Sequence, residues 1–319
     1  MSKQLTMREA IAQFVPDGAS VCMGTQMEQM IPFAAGHEIM RQRRRDLTLI
    51  GPISDILFDQ LIGAGCVREV IAAWVGNVMM GSAYNFRREV EGGRVKVTNL
   101  TNFAVSLALQ AAAMGVPFLP TRTAMGSDVA KDNPLFAEIE NPFAKMEPRR
   151  ALDGSSSLRT TGAGKLHAVK AIAPDVTIAH VQRADSDGNA HCWGNFGVMI
   201  EAVRAAKNVI VVAEEIVGAE VIASDPNRTV IPGFLVSAVV ECPLGAHPSP
   251  VQGYYKRDDA FFRQYHEQSK TPEDFARWAE RWVYSRQDRS DYASLLGSCH
   301  VESLGVKSHA YAAATDFGY

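Results

Sequence analysis

The chain has 319 residues, of which 47% are hydrophobic and 21% are charged, and its formal net charge at pH 7 is −3. This length is enough for one large α/β domain or two small ones with a sizeable core. The charge balance lacks the basic footprint of a nucleic-acid-binding protein. No stretch is long and apolar enough for a membrane helix, and the first residues lack the apolar core of a signal peptide, so we expect a cytoplasmic protein without a membrane partner.

Alternating apolar strands and amphipathic helices follow one another through the N-terminal third of the sequence. Thr6 and Glu9 form a capping-box pattern that opens a first helix, which extends to about Val15. The elements predicted next are strand 20–23, helix 32–43, strand 47–50, helix 55–62, strand 69–75, helix 82–91, strand 95–99 and helix 102–114, with Asn102 as its cap. This alternation is typical of βαβ units and predicts an α/β fold with an open, mainly parallel sheet flanked by helices.

The regular alternation breaks at Asn133, and we expect residues 133–165 to form a long, partly mobile surface excursion. Beyond it, the sequence predicts strands at 176–180, 209–213 and 236–240, a helix at 199–206, and two or three C-terminal helices within 258–296. We expect a single domain over residues 1–297, followed by a C-terminal tail at 298–319.

The cysteines have no paired spacing; they are Cys22, Cys66, Cys192, Cys242 and Cys299. An odd, unclustered set in a chain of this length is typical of reduced thiols in the cytoplasm. The adjacent pair His191 and Cys192 has the wrong spacing for a common metal site. The sequence therefore predicts no metal site in this chain.

The loop after strand 20–23 is the first candidate for chemistry. It begins with Gly24, continues with Thr25 and Gln26, and precedes a helix, so its main-chain N–H groups can face an anion or a developing oxyanion. An ordinary βα turn is the alternative. Glu28, in the same loop, is interpreted as a solvated carboxylate. No nucleophile and base stand together here, so we expect part of the catalytic machinery to come from another chain.

Further phrases are spread over almost the whole sequence. They are Met7-Arg-Glu-Ala-Ile-Ala, Asp46-Leu-Thr-Leu, Asp59-Gln-Leu-Ile-Gly-Ala-Gly, Ala111-Ala-Ala-Met-Gly-Val-Pro-Phe-Leu-Pro, Gly126-Ser127, His180-Val-Gln-Arg-Ala-Asp-Ser-Asp-Gly-Asn, Glu214-Glu-Ile-Val, Pro243-Leu-Gly-Ala-His-Pro-Ser and Tyr254-Tyr. In this order they resemble the A (alpha) subunit of the two-subunit CoA-transferases of family I, as in glutaconate and 3-oxoadipate CoA-transferases. The resemblance covers residues 2–297, and 147–165 look like an insertion relative to it.

The resemblance implies an open α/β fold and a homologous B (beta) subunit, which supplies a catalytic glutamate from a Glu-Ser-Gly or Glu-Asn-Gly loop. It implies ping-pong transfer of CoA through a glutamyl-CoA thioester on that glutamate. At the equivalent position this chain has Gly51-Pro-Ile-Ser, with no carboxylate before Asp55. We therefore expect no catalytic nucleophile in this chain. The implied partners are the B subunit, an acyl-CoA and a small carboxylic acid; the CoA thioester is a co-substrate, and no tightly bound cofactor is implied.

The resemblance also suggests substrate-binding residues. Gly24, Thr25 and Gln26 occupy the family's glycine-rich oxyanion loop, although the usual second glycine and aromatic are here Thr25 and Gln26, whose side chain offers another donor. Asn77 and Ser82 flank the loop after strand 69–75, where glutaconate CoA-transferase has a serine near the glutamate. Their alternative roles are turn and N-cap residues.

Other candidates surround these loops. Four methionines predict an adaptable apolar acyl pocket, with packing at the core edge as the alternative: Met27, Met30, Met79 and Met80. Arg122 and Ser127 belong to a polar loop in which Arg122 is a candidate for binding a substrate carboxylate or a CoA phosphate, or else for a surface ion pair. Asn102 stands where ring-opening hydrolases with this fold look as if they place a catalytic glutamate, which disfavours hydrolysis.

The function favoured by these residues is CoA transfer to or from a small dicarboxylic, 3-oxo or related acid. An acyl-CoA or C–C hydrolase on the same fold and a non-catalytic CoA-binding chain are the alternatives. A dinucleotide-binding protein is set aside because no Gly-x-Gly-x-x-Gly follows a strand. Glu214, Glu215 and His247 are interpreted as structural or interface residues.

Overall fold

The computed structural model describes residues 3–144 and 164–306, and its helices and strands follow the predicted α/β alternation. The described helices are α1 (Met7–Phe14), α2 (Phe33–Arg41), α3 (Ile56–Gly63), α4 (Tyr84–Glu91), α5 (Asn102–Ala113), α6 (Met199–Ala205), α7 (Ala219–Ala223), α8 (Asp259–Gln268), α9 (Pro272–Ala279), α10 (Arg289–Leu296) and α11 (Ser298–Leu304). The described strands are β1 (Ser20–Cys22), β2 (Leu47–Ile53), β3 (Val67–Trp74), β4 (Lys96–Asn99), β5 (Phe118–Thr121), β6 (Phe136–Glu140), β7 (Lys165–Lys170), β8 (Val176–Ala184), β9 (Ala190–His191), β10 (Asn208–Ile216), β11 (Thr229–Ile231) and β12 (Ala238–Glu241).

The central sheet is mainly parallel, which confirms the predicted fold class. Its parallel strands lie in the order β4-β3-β2-β1-β8-β10-β12, and β9 and β11 extend it in the antiparallel sense. The direction of strand succession reverses between β1 and β8. In open sheets of this kind, ligands bind beyond the carboxyl ends of the strands next to such a reversal. The loop after β1 lies at this position.

The sheet is buried on both faces, because its strands carry apolar side chains that point alternately to one face and to the other. Along β10, Ile210 and Val212 pack into one core cluster, whereas Val209 and Val211 pack into another. This alternation in side-chain direction is that of a strand buried on both faces. The first cluster also takes up the C-terminal helices, with Trp282 among its buried residues. The predicted C-terminal helices are therefore part of the main core.

One prediction about the chain's organisation needs correction, namely the irregular excursion at 133–165, while the domain bounds and the insertion stay predictions. Residues 136–140 of the predicted excursion form β6, which pairs with β7 in a second, antiparallel sheet of order β5-β7-β6. This sheet escaped prediction because its strands are short and only half-buried. Residues 298–304 of the predicted tail form α11. Residues 145–163, which hold most of the suggested insertion, and 307–319 lie outside the described residues.

The helix caps confirm one sequence prediction and correct another. At α1, the Thr6 hydroxyl accepts from the Glu9 N–H at 3.2 Å and the Glu9 carboxylate accepts from the Thr6 N–H at 2.9 Å, as the capping box predicts. At α5, the predicted cap Asn102 is the first helical residue, and the cap is Thr101, whose hydroxyl accepts from the Ala104 N–H at 3.0 Å. Threonine and asparagine are both favourable N-cap residues. Thr101 is the cap because its backbone is extended, whereas Asn102 is already helical.

The corrected cap makes a stability prediction. Thr101→Ala is expected to lower the free energy of unfolding by about 1 kcal/mol, because the Ala104 N–H loses its acceptor. Asn102→Ala, one residue further on, is expected to change it by only a few tenths of a kcal/mol, since Asn102 is exposed. Urea unfolding followed by tryptophan fluorescence measures both. A larger loss for Asn102→Ala than for Thr101→Ala would contradict the assignment.

Within residues 3–144 and 164–306, no helix combines the length and the apolar composition that a membrane crossing requires.

Candidate functional site

Three loops at the carboxyl ends of neighbouring strands define the candidate site. They follow β1, β2 and β3 and comprise residues 23–32, 54–55 and 75–83. Since β1, β2 and β3 are parallel neighbours, these loops emerge from one edge of the sheet. This is the edge at which the sequence analysis places the substrate-binding residues.

The loop after β1 is held closely between two other segments. Gly24 has a φ of 66°, and a Cβ on it would lie 2.2 Å from the Ser54 hydroxyl. On the other side, the Val198 N–H donates to the Thr25 carbonyl at 2.7 Å. A Cβ on Gly197 would lie 2.2 Å from the same carbonyl oxygen. The loop conformation is therefore fixed by its neighbours in the fold as well as by its own residues.

The main chain of this loop supplies hydrogen-bond donors. Among the described residues, the N–H groups of residues 24–28 donate to no other protein group. Thr25 and Gln26 are almost completely buried, so their backbone is held in a region of low solvent access. Fixed N–H dipoles in such a place can stabilise a negative oxygen without reorganising. The loop thus has the physical properties of an oxyanion-binding segment.

The Gln26 side chain faces the protein interior. Its amide nitrogen lies 3.3 Å from the Cys192 sulfur and 3.7 Å from the Met30 sulfur. Its buried amide oxygen has no hydrogen-bond partner among the described residues. Burial raises the pKa of Cys192 to about 12, so the neighbouring sulfur is a neutral thiol. The side-chain donor suggested for Gln26 is therefore directed at sulfur atoms.

The position of Gln26 leads to a prediction that separates its side chain from its backbone. Gln26→Met is expected to leave the free energy of unfolding unchanged or to raise it by about 1 kcal/mol, because an unpaired buried amide oxygen is removed. If main-chain N–H groups bind the oxyanion, we expect kcat/KM of the Gln26→Met enzyme, assembled with its partner subunit, to stay within about threefold of the value for the unmodified enzyme. A loss of about 100-fold or more, the size expected for a lost oxyanion donor, would show that the amide itself binds the reacting group.

Asn77 shapes the loop after β3. Its amide oxygen accepts from the N–H groups of Met79 and Met80, both at 3.1 Å, and its amide nitrogen donates to the Phe262 carbonyl at 3.0 Å. These bonds fit the alternative role of a turn residue. Ser82 is exposed and does not cap α4, whose N-cap position is Ala83 without a side-chain bond.

The four candidate methionines of the acyl pocket occupy different environments. Met30 is buried in a core cluster, and Met79 packs against another. Met27 and Met79 are partly exposed and Met80 is 39% exposed, so these three reach solvent in the site loops. They remain the accessible candidates for contacting an acyl group, while Met30 belongs to the core.

The remaining candidates gather at the start of α5. The Thr101 and Thr123 hydroxyls lie 3.3 Å apart, which places the exposed Asn102 beside the turn that contains Arg122. Ser127, further along this turn, donates its hydroxyl to the Ala124 carbonyl at 2.9 Å. The structure thus brings Asn102 and the polar loop together. Among the described residues, no backbone hydrogen bond joins this group to the loop after β1.

A buried ion pair at the site was missed by the sequence analysis. Asp55 is completely buried, and its carboxylate lies 2.7 Å from an Arg257 guanidinium nitrogen and accepts from the Val78 N–H at 3.2 Å. Arg257 also pairs with the half-exposed Glu28 at 3.5 Å and lies over the Phe262 ring, 3.9 Å from its centroid. Asp55 and Arg257 are far apart in sequence, so no local pattern could have connected them.

The geometry of this pair is unfavourable for a nucleophilic role of Asp55. Burial raises its pKa to about 6, while Arg257 and the Val78 N–H oppose the shift. Both carboxylate oxygens are engaged, and the residue has no exposed surface. Asp55 instead connects the loop after β2 to the loop after β3, and through Arg257 to Glu28 in the loop after β1. The three site loops are therefore tied together by two ion pairs of Arg257 and one hydrogen bond to Asp55.

The other acidic family residues are structural in this chain. Glu214 is buried, accepts from the Tyr255 hydroxyl at 2.5 Å and from the Leu244 N–H at 2.8 Å, and lies 2.7 Å from His180. Glu215 pairs with Arg183. These contacts connect the end of β10 to the turn that follows β12, in agreement with the structural interpretation.

A group of potential metal ligands lies away from the site loops. Within the described ranges, the single group of three or more His, Cys, Asp or Glu residues close enough to share an ion is His247, Asp258 and His300. None of these residues belongs to the three site loops.

Comparisons with known proteins identify relatives over almost the whole chain. A family model described as coenzyme A transferase matches residues 4–242. The A subunit of 3-oxoadipate CoA-transferase from Pseudomonas knackmussii is 37% identical over 299 residues, covering 93% of this chain and 99% of the relative. The A subunit of glutaconate CoA-transferase from Acidaminococcus fermentans is 33% identical over 307 residues, covering 96% of this chain and 95% of the relative. The crystal structure of the glutaconate enzyme from that organism matches with a TM-score of 0.85 at 33% identity, covering 97% of each chain.

Proposed function

Because this chain belongs to the coenzyme A transferase family, we propose that it is the A subunit of a two-subunit enzyme that moves CoA from an acyl-CoA to a carboxylic acid. One observation carries this proposal. The site has a loop of free N–H donors, but the one carboxylate after β2, Asp55, is buried and bound to Arg257. The other carboxylate of the site loops, Glu28, also pairs with Arg257, at 3.5 Å. An oxyanion site whose two carboxylates are both paired with an arginine fits a chain that works against a glutamate of a partner subunit.

The proposed chemistry needs little more than donors and a dry site. The partner's glutamate carboxylate attacks the thioester carbonyl, and the tetrahedral intermediate then expels CoA as a thiolate, which leaves a mixed anhydride of the donor acid and the glutamate. The thiolate then attacks the glutamyl carbonyl of the anhydride, which releases the donor acid and leaves a glutamyl-CoA thioester. The same steps in reverse, with a second carboxylate, give the new acyl-CoA and restore the glutamate. A carboxylate nucleophile needs no general base, and the N–H groups of residues 24–28 would stabilise the oxyanions.

The proposed substrate class is a small dicarboxylic or 3-oxo acid. The two relatives above are named for 3-oxoadipate and glutaconate, which are both dicarboxylates. Met27, Met79 and Met80, accessible in the site loops, supply adaptable apolar surface for the carbon chain of the acyl group. We also propose Arg122 as a candidate contact for the remote carboxylate, since arginine binds carboxylates through paired N–H groups.

The deciding experiment uses this chain co-purified with its candidate B subunit. A panel of acyl-CoAs is supplied with acetate, and free thiol and acetyl-CoA are measured in parallel. Acetyl-CoA formed without free thiol is the expected result. Release of thiol without acetyl-CoA would identify a hydrolase instead. If neither product forms with any donor while the complex is intact, the chain has only a binding role and the proposal is wrong.

A second measurement locates the nucleophile. The transfer reaction should stop when the glutamate in the Glu-Ser-Gly or Glu-Asn-Gly loop of the B subunit is changed to alanine, with the complex still assembled. Glu28→Gln in this chain is the matched carboxylate control, because Glu28 is the half-exposed carboxylate of the site loops, and it should retain transfer. Loss of transfer through Glu28→Gln in an assembled complex would contradict the division of roles.

A further inference from the structure

Three potential metal ligands meet away from the site loops. His247 lies in the turn after β12, Asp258 is the N-cap residue of α8, and His300 lies in α11. One ligand atom from each residue lies within 4.8 Å of the other two. The expectation of no metal site rests on the cysteines and on the adjacent pair His191 and Cys192. Only the fold brings His247, Asp258 and His300 together.

The Asp258 carboxylate is the centre of this group. One of its oxygens, Oδ2, lies 3.0 Å from Nε2 of His247 and 2.5 Å from Nε2 of His300. The other oxygen, Oδ1, accepts from the Phe261 N–H at 3.0 Å and caps α8. The carboxylate is therefore held at one oxygen and presents the other to both imidazoles.

The His247 ring is oriented from its far side. Its Nδ1 lies 2.9 Å from the Tyr292 hydroxyl, and both residues are buried. This contact leaves Nε2 directed at Asp258. Histidines that bind metals usually have such a partner on the second ring nitrogen, because it fixes the tautomer and the ring plane.

We propose that His247, Asp258 and His300 form a binding site for a divalent transition metal, with Zn²⁺ as the best-fitting ion. Two imidazoles and one carboxylate are a ligand set that zinc commonly uses, with water as a fourth ligand. The His300 side chain is 38% exposed and provides the open side for entry and for the water. Donors about 2.0 to 2.2 Å from a tetrahedral zinc are about 3.4 Å apart. The contacts of 2.5 Å and 3.0 Å from the two imidazoles to Asp258 must therefore each lengthen by less than about 1 Å when the ion enters.

Bound zinc would fasten the C-terminal helix α11 to α8 and to the turn at His247. Asp258 directly follows Arg257, which holds the three site loops through Asp55. The site is therefore placed to stabilise the segment that supports the candidate active site. A ligand that binds only the folded state raises the melting temperature to an extent set by its affinity and concentration.

The test uses the untagged protein with its B subunit, stripped of metal by a chelator and dialysed against Zn²⁺. Elemental analysis should give one zinc for each copy of this chain, and zinc should raise its melting temperature. His300→Gln is the diagnostic variant, because the glutamine amide can still donate to Asp258 but is a poor zinc ligand. It should keep the metal-free melting temperature, weaken zinc binding by roughly tenfold or more, and lose the zinc-dependent shift.

A neighbouring thiol requires its own control. Cys299 is exposed and adjacent to His300, so Cys299→Ser should retain zinc binding if the proposed ligands are right. Co²⁺ in the unmodified protein gives an independent reading, since histidine and carboxylate ligands give d–d bands without a thiolate charge-transfer band. The proposal is overturned if no zinc binds, if His300→Gln binds it equally well, if Cys299→Ser loses it, or if the cobalt spectrum contains a thiolate band.

Discussion

Gly24→Ala is expected to lower the free energy of unfolding by about 2 to 4 kcal/mol and to remove most CoA transfer by the assembled enzyme. The new Cβ would lie 2.2 Å from the Ser54 hydroxyl and 2.9 Å from the Ile53 carbonyl oxygen, and the backbone φ of 66° disfavours any side chain. Overpacking alone costs about 1 to 3 kcal/mol. Displacing the loop would also move its N–H donors, for which a loss of about 100-fold in kcat is expected.

Gly18→Ala is the matched control for Gly24→Ala. Gly18 also has a positive φ, 80°, but a Cβ there would meet no atom within 4 Å. Its substitution should therefore cost only the conformational strain, about 1 kcal/mol. Urea unfolding and the acetyl-CoA assay measure the two variants side by side. Equal losses of stability for both would show that the close approach of Ser54 is unimportant.

Arg257→Met is expected to lower the free energy of unfolding by about 3 to 5 kcal/mol at pH 8, because it leaves the buried Asp55 carboxylate without a counter-ion. Methionine retains apolar contact with the Phe262 ring, so the loss is mainly electrostatic. At pH 5 the loss should be much smaller, since Asp55 can then take up a proton. Chemical denaturation at the two pH values measures the difference.

The sign of this pH dependence follows from the pKa of Asp55. Burial raises it to about 6, whereas an aspartate in an unfolded chain titrates near 4. The folded state therefore binds this proton more tightly, and its contribution to stability is present at low pH and is lost as the pH rises from about 4 to 6. In Arg257→Met the opposing guanidinium is absent, so the pKa rises further and the loss extends above pH 6.

Two control variants test this explanation. Adding Asp55→Asn to Arg257→Met removes the buried charge, so the double variant should regain most of the stability lost at pH 8. Arg87→Met breaks an exposed pair with Glu91 and should leave the free energy of unfolding almost unchanged at either pH. A loss in Arg257→Met that is independent of pH, or that Asp55→Asn does not reduce, would contradict the explanation.

The regular elements could be predicted because their causes are local. The capping box of Thr6 and Glu9 involves residues within one helical turn, and each strand and helix of the first third has its own apolar period. Prediction failed where local signals were weak or equivalent. The strand β6 is half-buried, and it is stabilised by pairing with β7. The cap of α5 is Thr101, because its backbone is extended and the helical conformation begins at the next residue.

The candidate site was predictable in position but only partly in chemistry. The sequence shows that Gly24 follows a buried strand, which places its loop at the carboxyl edge of a parallel sheet. The sequence does not show where side chains point. In the structure, the amide nitrogen of Gln26, which was suggested as a donor to the substrate, faces two sulfur atoms instead. Equally, the sequence does not show the burial that gives Asp55 a structural role.

By itself, the sequence determined the family, the α/β alternation and the absence of a Glu-Ser-Gly or Glu-Asn-Gly loop, because periodicity and short motifs depend on neighbouring residues. Only the tertiary structure decided which distant groups meet. The pairing of Asp55 with Arg257 and the convergence of His247, Asp258 and His300 depend on how loops and C-terminal helices pack around the sheet. Burial then determines what these groups do, since a carboxylate removed from water must find a partner or a proton.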